Sequence, residues 1–152
     1  MPDIVISDTS CLILLSKIEM ISLVRELYGK IIVTDIVASE YGEPLPEFIE
    51  IRKLKDNVHF KILEQAIDAG EASSIALCLE IPNSLIILDD KKARKVASQL
   101  NIPHTGVIGV LVQAKKLGII EKVKPFLDML KSTGMWVSSE IYSEVLSITN
   151  EN

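Results

Sequence analysis

The chain has 152 residues, a net charge of -5, 48% hydrophobic residues and 24% charged residues. That length and balance predict a single globular domain over residues 1–152 with a sizeable core. The negative charge argues against broad electrostatic binding of nucleic acid, but it is compatible with a local basic rim around an acidic centre. The longest apolar run is too short for a membrane span, and no secretion signal is recognisable, so we expect a cytoplasmic protein with no membrane contact. Cys11 and Cys78 lack CxxC spacing, which favours reduced core thiols.

In chain order, short β-branched runs alternate with helical patterns. Strands are predicted at 4–7, 31–34 and 84–88, with a brief fourth strand at 102–105 and a short edge strand at Met135-Trp136-Val137. Helices are predicted at 12–18, 22–28, 36–41, 60–67, 72–80, 91–100, 106–117, 122–131 and 140–148. Residues 48–54 show only weak alternation and stay undefined. This alternation predicts a three-layer α/β/α sandwich around a central parallel sheet, with residues 4–7 in its middle.

Acidic residues follow the predicted strands at the point where each strand ends. Asp8 follows the first strand and Asp89-Asp90 the third, while Glu40 and Glu71 lie on helices near the same edge. Because parallel strands present their carboxyl ends at one edge of the sheet, Asp8 and the Asp89-Asp90 pair should approach one another. Each acid also has a purely structural alternative. Asp8 and Asp89 could be helix N-caps, and Asp68 and Glu71 have the spacing of a capping box. Asp90 could favour the helix dipole, and Glu40 could be solvated surface.

Converging carboxylates repel each other and raise one another's pKa unless a cation joins them. A cluster of Asp and Glu without paired His or Cys suits hard cations such as Mg²⁺ or Mn²⁺. His59 and His104 have no paired ligand spacing, so we interpret both as structural. A basic run formed by Lys91, Lys92, Arg94 and Lys95 lies beside the last acids. It could hold phosphates, or it could be a solvated helix face.

The ordered motifs resemble those of PIN-domain ribonucleases, which include the VapC toxins. The resemblance rests on Val5-Ile6-Ser7-Asp8-Thr9-Ser10, on Glu40, on Gly70-Glu71-Ala72 and on Leu88-Asp89-Asp90. It extends downstream through residues 106–118 and so covers nearly the whole chain. It implies a PIN-like fold and Mg²⁺- or Mn²⁺-dependent endonucleolytic cleavage of single-stranded RNA, with activity restrained by a small antitoxin protein.

The site residues implied by this resemblance are Asp8, Glu40, Glu71 and Asp90, with Asp89 supporting them as a further metal ligand. The chain departs from the common VapC pattern at Glu71, where many members have Asp, and at the Asp89-Asp90 pair, in which either residue could contact the metal. We also expect a homodimer.

Two other functions compete with this interpretation. One is a catalytically inactive PIN-like domain that binds RNA or protein. The other is a phosphoacceptor α/β domain similar to a response regulator, which ranks lower because its acid pair should follow the first strand.

Overall fold

The computed structural model describes residues 2–152, in which it forms five strands and nine helices. The strands are β1 (Ile4–Ser7), β2 (Lys30–Thr34), β3 (Ile49–Arg52), β4 (Ser84–Ile87) and β5 (His104–Thr105). The helices are α1 (Thr9–Lys17), α2 (Ile21–Tyr28), α3 (Asp35–Tyr41), α4 (Val58–Leu63), α5 (Ala69–Glu80), α6 (Lys91–Gln99), α7 (Val107–Lys116), α8 (Lys124–Ser132) and α9 (Ser139–Ile148).

All strand pairs of the sheet are parallel, and the strand order is β3-β2-β1-β4-β5. The central position of β1 is therefore confirmed, with Ile4 in register with Lys30 on one side and Ser84 on the other. The chain builds outward from β1 through β2 and β3, then returns to place β4 on the opposite side. This order differs from the 2-1-3-4-5 order of flavodoxin-like folds, which argues against the response-regulator alternative.

Side chains of the buried strands alternate between two hydrophobic cores, one on each face of the sheet. Val5 and Val33 belong to a core covered by α1, α2, α7 and α8, whereas Ile6 and Ile32 belong to a core covered by α5 and α6. Because successive strand residues point to opposite faces, a sheet covered on both sides needs continuous apolar runs. The predicted three-layer α/β/α sandwich is thereby confirmed.

The structure differs from the sequence prediction mainly at the edges of the sheet. The undefined segment contains the edge strand β3, and the fourth strand shrinks to the two residues of β5. The predicted strand at Met135-Trp136-Val137 is wrong, because this segment has no strand partner and only its end is anchored: Val137 is buried, while Trp136 is 86% exposed. No helix within residues 2–152 is long and apolar enough to cross a membrane.

Candidate active site

Four helices begin with a polar side chain at the carboxyl edge of the sheet. The N-caps of α1, α3, α5 and α6 are Asp8, Thr34, Asp68 and Asp90, and each accepts a hydrogen bond from the backbone N–H three residues later. Helices that connect parallel strands run antiparallel to them, so they start where the strands end. The capping interpretation is thus correct for Asp8 and Asp68, whereas the cap after β4 is Asp90 and not Asp89. The same geometry gathers these carboxylates at one edge.

Asp8 lies at the end of the central strand and is only 1% exposed. Its Oδ1 accepts a hydrogen bond of 2.9 Å from the Cys11 backbone N–H. The pKa of Asp8 is raised to about 6, mainly by burial. The hydrogen bonds from Cys11 lower this pKa, and the nearby charges of Asp89 and Asp68 raise it. A carboxylate at this position is therefore poorly solvated and exposed to repulsion from like charges.

Asp89 and Asp90 have different surroundings, which separates their roles. Asp90 caps α6 and is exposed. Asp89 does not cap α6, the helix that follows its strand. Its Oδ2 instead accepts hydrogen bonds from the Val107 backbone N–H (3.3 Å) and from the Cys11 thiol (3.4 Å). Asp89 therefore links the end of β4 to the beginnings of α1 and α7. A Cβ at Gly106 would lie 2.1 Å from Asp89 Oδ1, so any other residue there would displace the Asp89 carboxylate.

Glu71 occupies the first turn of α5 and is 7% exposed. Burial raises its pKa to about 7, with further contributions from the charges of Asp68, Asp90 and Asp8, while the Asp68 backbone N–H opposes the shift. The electrostatic partners of Glu71 thus come from three different helix N-termini. This network is the strongest sign that the acids face one common space.

Glu40 reaches the same edge from the last turns of α3. Thr9 Oγ1 donates a hydrogen bond of 2.6 Å to Glu40 Oε1. A Cβ at Gly70 would lie 2.3 Å from that same oxygen. The exposed Glu40 carboxylate therefore lies between the residue after Asp8 and the residue before Glu71, over the first turn of α5.

The structure brings every predicted site residue to one edge, at the topological switch point between β1 and β4 where open α/β sheets bind ligands. Three contributors were not identified as site residues from the sequence. Asp68 adds a charge to the cluster, Thr9 holds Glu40, and Gly70 makes room for it. Asp68 could have been found from its capping position, because the N-cap of a helix that precedes a parallel strand lies at this edge.

We call the acids at this edge the acid cluster, which consists of Asp8, Glu40, Asp68, Glu71, Asp89 and Asp90. Its ligand atoms are of the type that a hard divalent cation prefers. It consists of carboxylates, and burial holds the pKa of the neighbouring Cys11 thiol well above its usual value, so this thiol stays protonated. Within residues 2–152, no three His, Cys, Asp or Glu side chains are already arranged around one ion position. Glu40, Asp68 and Asp90 are exposed, and each accepts a hydrogen bond through one carboxylate oxygen. Binding an ion would therefore use the second oxygen of each or require these side chains to shift.

A parallel α/β/α fold with a crevice of acids at its switch point defines a class of domain suited to phosphoryl chemistry. The DUF3368 family model, described as a PIN domain, matches residues 4–151. The chain therefore belongs to this family of PIN domains, which are generally nucleases that hydrolyse phosphodiester bonds. The predicted PIN-domain membership is confirmed. No curated protein matches the chain.

Proposed function

We propose that this PIN domain is an Mg²⁺- or Mn²⁺-dependent endoribonuclease that cleaves single-stranded RNA. The observation that carries the proposal is the desolvated Asp8 carboxyl at the end of the central strand, within reach of the charges of Asp68, Asp89 and Glu71. Natural folds rarely bury unpaired like charges, since each one disfavours ionisation of its neighbours. A cation resolves this conflict.

Asp8, Glu40, Glu71 and Asp90 would hold the metal directly or through water, with Asp89 as a supporting ligand. When bound, the ion supplies an activated water and stabilises negative charge on the scissile phosphate. The N-cap hydrogen bonds of Asp8 and Asp90 each use one carboxylate oxygen, which leaves the other oxygen for a ligand. Capping and metal binding are therefore compatible uses of the same side chain.

The remaining residues of the site orient these acids. Thr9 fixes Glu40 by donating to Oε1, and Asp89 is held between the Cys11 thiol and the Val107 N–H. At neutral pH Glu71, whose pKa is raised to about 7, retains a proton in part of the molecules. Cation binding would release that proton, so affinity for the metal should increase with pH.

An RNA cleavage assay with matched Asp→Asn variants tests this proposal. Asp8→Asn keeps the shape and the helix cap, because Asn is itself a good N-cap. Wild type should cleave a labelled single-stranded RNA in Mn²⁺ and lose the activity in EDTA, and Asp8→Asn should cut it at least a hundredfold more slowly. The control is Asp128→Asn, since Asp128 bonds to Tyr142 and Lys124 instead of the acid cluster. Equal cleavage by wild type and Asp8→Asn would remove the site. RNA bound but never cut would favour the inactive binding domain.

We further propose that the chain is a toxin-like homodimer restrained by a small antitoxin protein. A guanidinium can bind a carboxylate in bidentate fashion, so an antitoxin Arg placed against the acid cluster would offset part of its negative charge in the absence of metal. Sedimentation at high concentration and a pull-down with the product of the neighbouring open reading frame test this proposal. A monomer that does not bind this product would contradict it.

A further inference from the structure

Trp136 is the chain's only tryptophan, and it is 86% exposed. The adjacent Val137 is 7% exposed and packs into the core, so the backbone beside the indole is anchored. A single exposed apolar side chain is ordinary, so its meaning depends on what surrounds it.

Trp136 forms one wall of a groove of about 580 Å³. The groove residues used below are Lys91 and Arg94 of α6, Gly106 and Ile108 at the start of α7, Trp136, and Ile141 of α9. Asp89 of the acid cluster also lines it. We call it the indole groove. It is continuous with the proposed cleavage site, since Asp89 also accepts from the Cys11 thiol beside Asp8.

Two cations, Lys91 and Arg94, line the same groove as the indole. Lys91 and Arg94 are three positions apart, which places them on the same face of α6. No ion pair within residues 2–152 uses either of them. The Arg94 Nε is buried and has no hydrogen-bond partner in the described chain. Asp89, which also lines the groove, accepts hydrogen bonds from the Val107 N–H and the Cys11 thiol instead.

We infer that the indole groove binds one nucleotide of the single-stranded RNA, with its base stacked on Trp136 and its phosphate held by Arg94 and Lys91. The identity of the polymer rests on the proposed function. An apolar peptide would fill the groove but would leave both cations unpaired, whereas a nucleotide offers a flat π-face and an anion together. Base stacking on aromatic side chains tolerates every base, so this subsite adds affinity with little sequence preference.

Because Trp136 is the only indole, its fluorescence reports directly on this groove. A short unstructured RNA titrated in EDTA should quench the emission saturably without cleavage. An abasic oligomer with the same phosphates should bind more weakly and quench little. Trp136→Ala should weaken RNA binding, followed by anisotropy of labelled RNA, by roughly tenfold to a hundredfold, and Trp136→Phe should recover part of the loss. Ile62→Ala is the control, because Ile62 is 63% exposed on α4.

Arg94→Gln should weaken RNA binding. It should also reduce the magnitude of the slope of log affinity against log salt concentration by about 0.7, as expected for one lost phosphate contact to a single strand. Lys116→Gln, at the exposed end of α7, should leave the slope unchanged. Wild-type affinity in Trp136→Ala, or RNA binding without quenching, overturns the inference. So does a change of oligomeric state in Trp136→Ala with RNA binding intact, which would make the groove an interface between copies.

The outcomes for this subsite and for the proposed nuclease are separable. If wild type quenches with RNA but never cleaves it in Mn²⁺, the subsite stands and the nuclease fails. If wild type cleaves and Trp136→Ala cleaves with the same KM, the nuclease stands and the subsite fails.

Discussion

Two buried carboxylate environments in this molecule have opposite electrostatic character. At the acid cluster, burial raises the pKa of Asp8 to about 6 and that of Glu71 to about 7, and neighbouring acids add to both shifts. The Glu151 side chain is only 5% exposed, and burial alone would raise its pKa as well. Hydrogen bonds from the Lys124 and Val123 N–H groups, with Thr149 and the Lys115 ammonium, lower it to about 2 instead.

The difference shows that burial by itself does not decide whether a carboxylate stabilises a fold. Glu151 receives bonds of 2.9 Å from the Val123 N–H, 3.0 Å from the Lys124 N–H and 3.1 Å from Lys115 Nζ, so its charge is paired. The cluster acids receive N-cap N–H groups, the Thr9 hydroxyl, the Val107 N–H and the Cys11 thiol, but no ammonium or guanidinium pairs with any of them within residues 2–152. The Glu151 charge is thus paired by groups of the chain itself, whereas in the proposed function a bound cation would balance the charges of the acid cluster.

The largest effect on stability should come from removing the satisfied carboxylate. Glu151→Ala leaves two backbone N–H groups without their acceptor and removes the carboxylate from the Lys115 ammonium, which keeps only the Thr149 carbonyl. We expect a loss of about 3–4 kcal/mol in the free energy of unfolding at pH 7. Glu151→Gln retains an acceptor oxygen and should lose less. Urea denaturation measures both. The control is Glu121→Ala, an exposed acid of the same surface region, and an equal loss in that variant would contradict the comparison.

The pH dependence of stability should have opposite signs for the two environments. Asp8 binds a proton more tightly when folded, with a pKa of about 6 against an ordinary value of 3.8, so metal-free stability falls as pH rises through this range. The fall attributable to Asp8 is about 3 kcal/mol, and Glu71 extends the window to about pH 7. Glu151 acts in reverse, because its stabilisation is lost as pH falls from 4.5 toward about 2.

The metal-free protein should therefore be most stable at about pH 4, where these two windows overlap and their opposite slopes cancel. Urea denaturation in EDTA from pH 3 to 8 measures the profile. Asp8→Asn should flatten the alkaline side and exceed wild type in stability at pH 8. A wild type that gains stability steadily from pH 5 to 8 would show that the acid cluster is not repulsive.

A divalent cation should remove the difference between the two environments. Mn²⁺ at about 100 times its dissociation constant should stabilise wild type by about 2.7 kcal/mol, and it should stabilise Asp8→Asn far less. Asp8→Ala additionally loses the α1 cap, which costs about 0.5–2 kcal/mol with or without metal. Thermal melts of the three proteins with and without Mn²⁺ separate the contributions. A wild type indifferent to Mn²⁺, beside a destabilised Asp8→Ala, would reduce Asp8 to a helix cap.

The acid cluster was more predictable from the sequence than the Glu151 site, and the reason is topological. Asp8 and Asp89-Asp90 directly follow apolar strands. Parallel strands bring their carboxyl ends together irrespective of the conformation of the connecting loops. Glu151 finds its partners 27 to 36 residues away, on α7 and at the start of α8, and no local pattern specifies that contact. The same limit explains the false strand at 135–137, where β-prone side chains had no adjacent strand to pair with.

The smallest stability change should come from Gly70→Ala, although it alters the acid cluster directly. Gly70 is helical, so Ala gains up to about 1 kcal/mol in helix propensity. Its Cβ would lie 2.3 Å from Glu40 Oε1 and 2.7 Å from Thr9 Oγ1, so the Glu40 carboxylate must move and lose its hydrogen bond from Thr9, at a cost of about 0.5–1.5 kcal/mol. These terms nearly cancel, and we expect a net change below about 1 kcal/mol in EDTA. The metal dependence should nevertheless weaken, since Glu40 is pushed away from the first turn of α5.

Gly109→Ala is the matched control, because its Cβ would displace the Thr105 hydroxyl at 2.3 Å and no acid. Melts with increasing Mn²⁺ should show a higher midpoint concentration for Gly70→Ala than for wild type or Gly109→Ala. Identical Mn²⁺ midpoints in all three proteins would exclude Glu40 from the metal site.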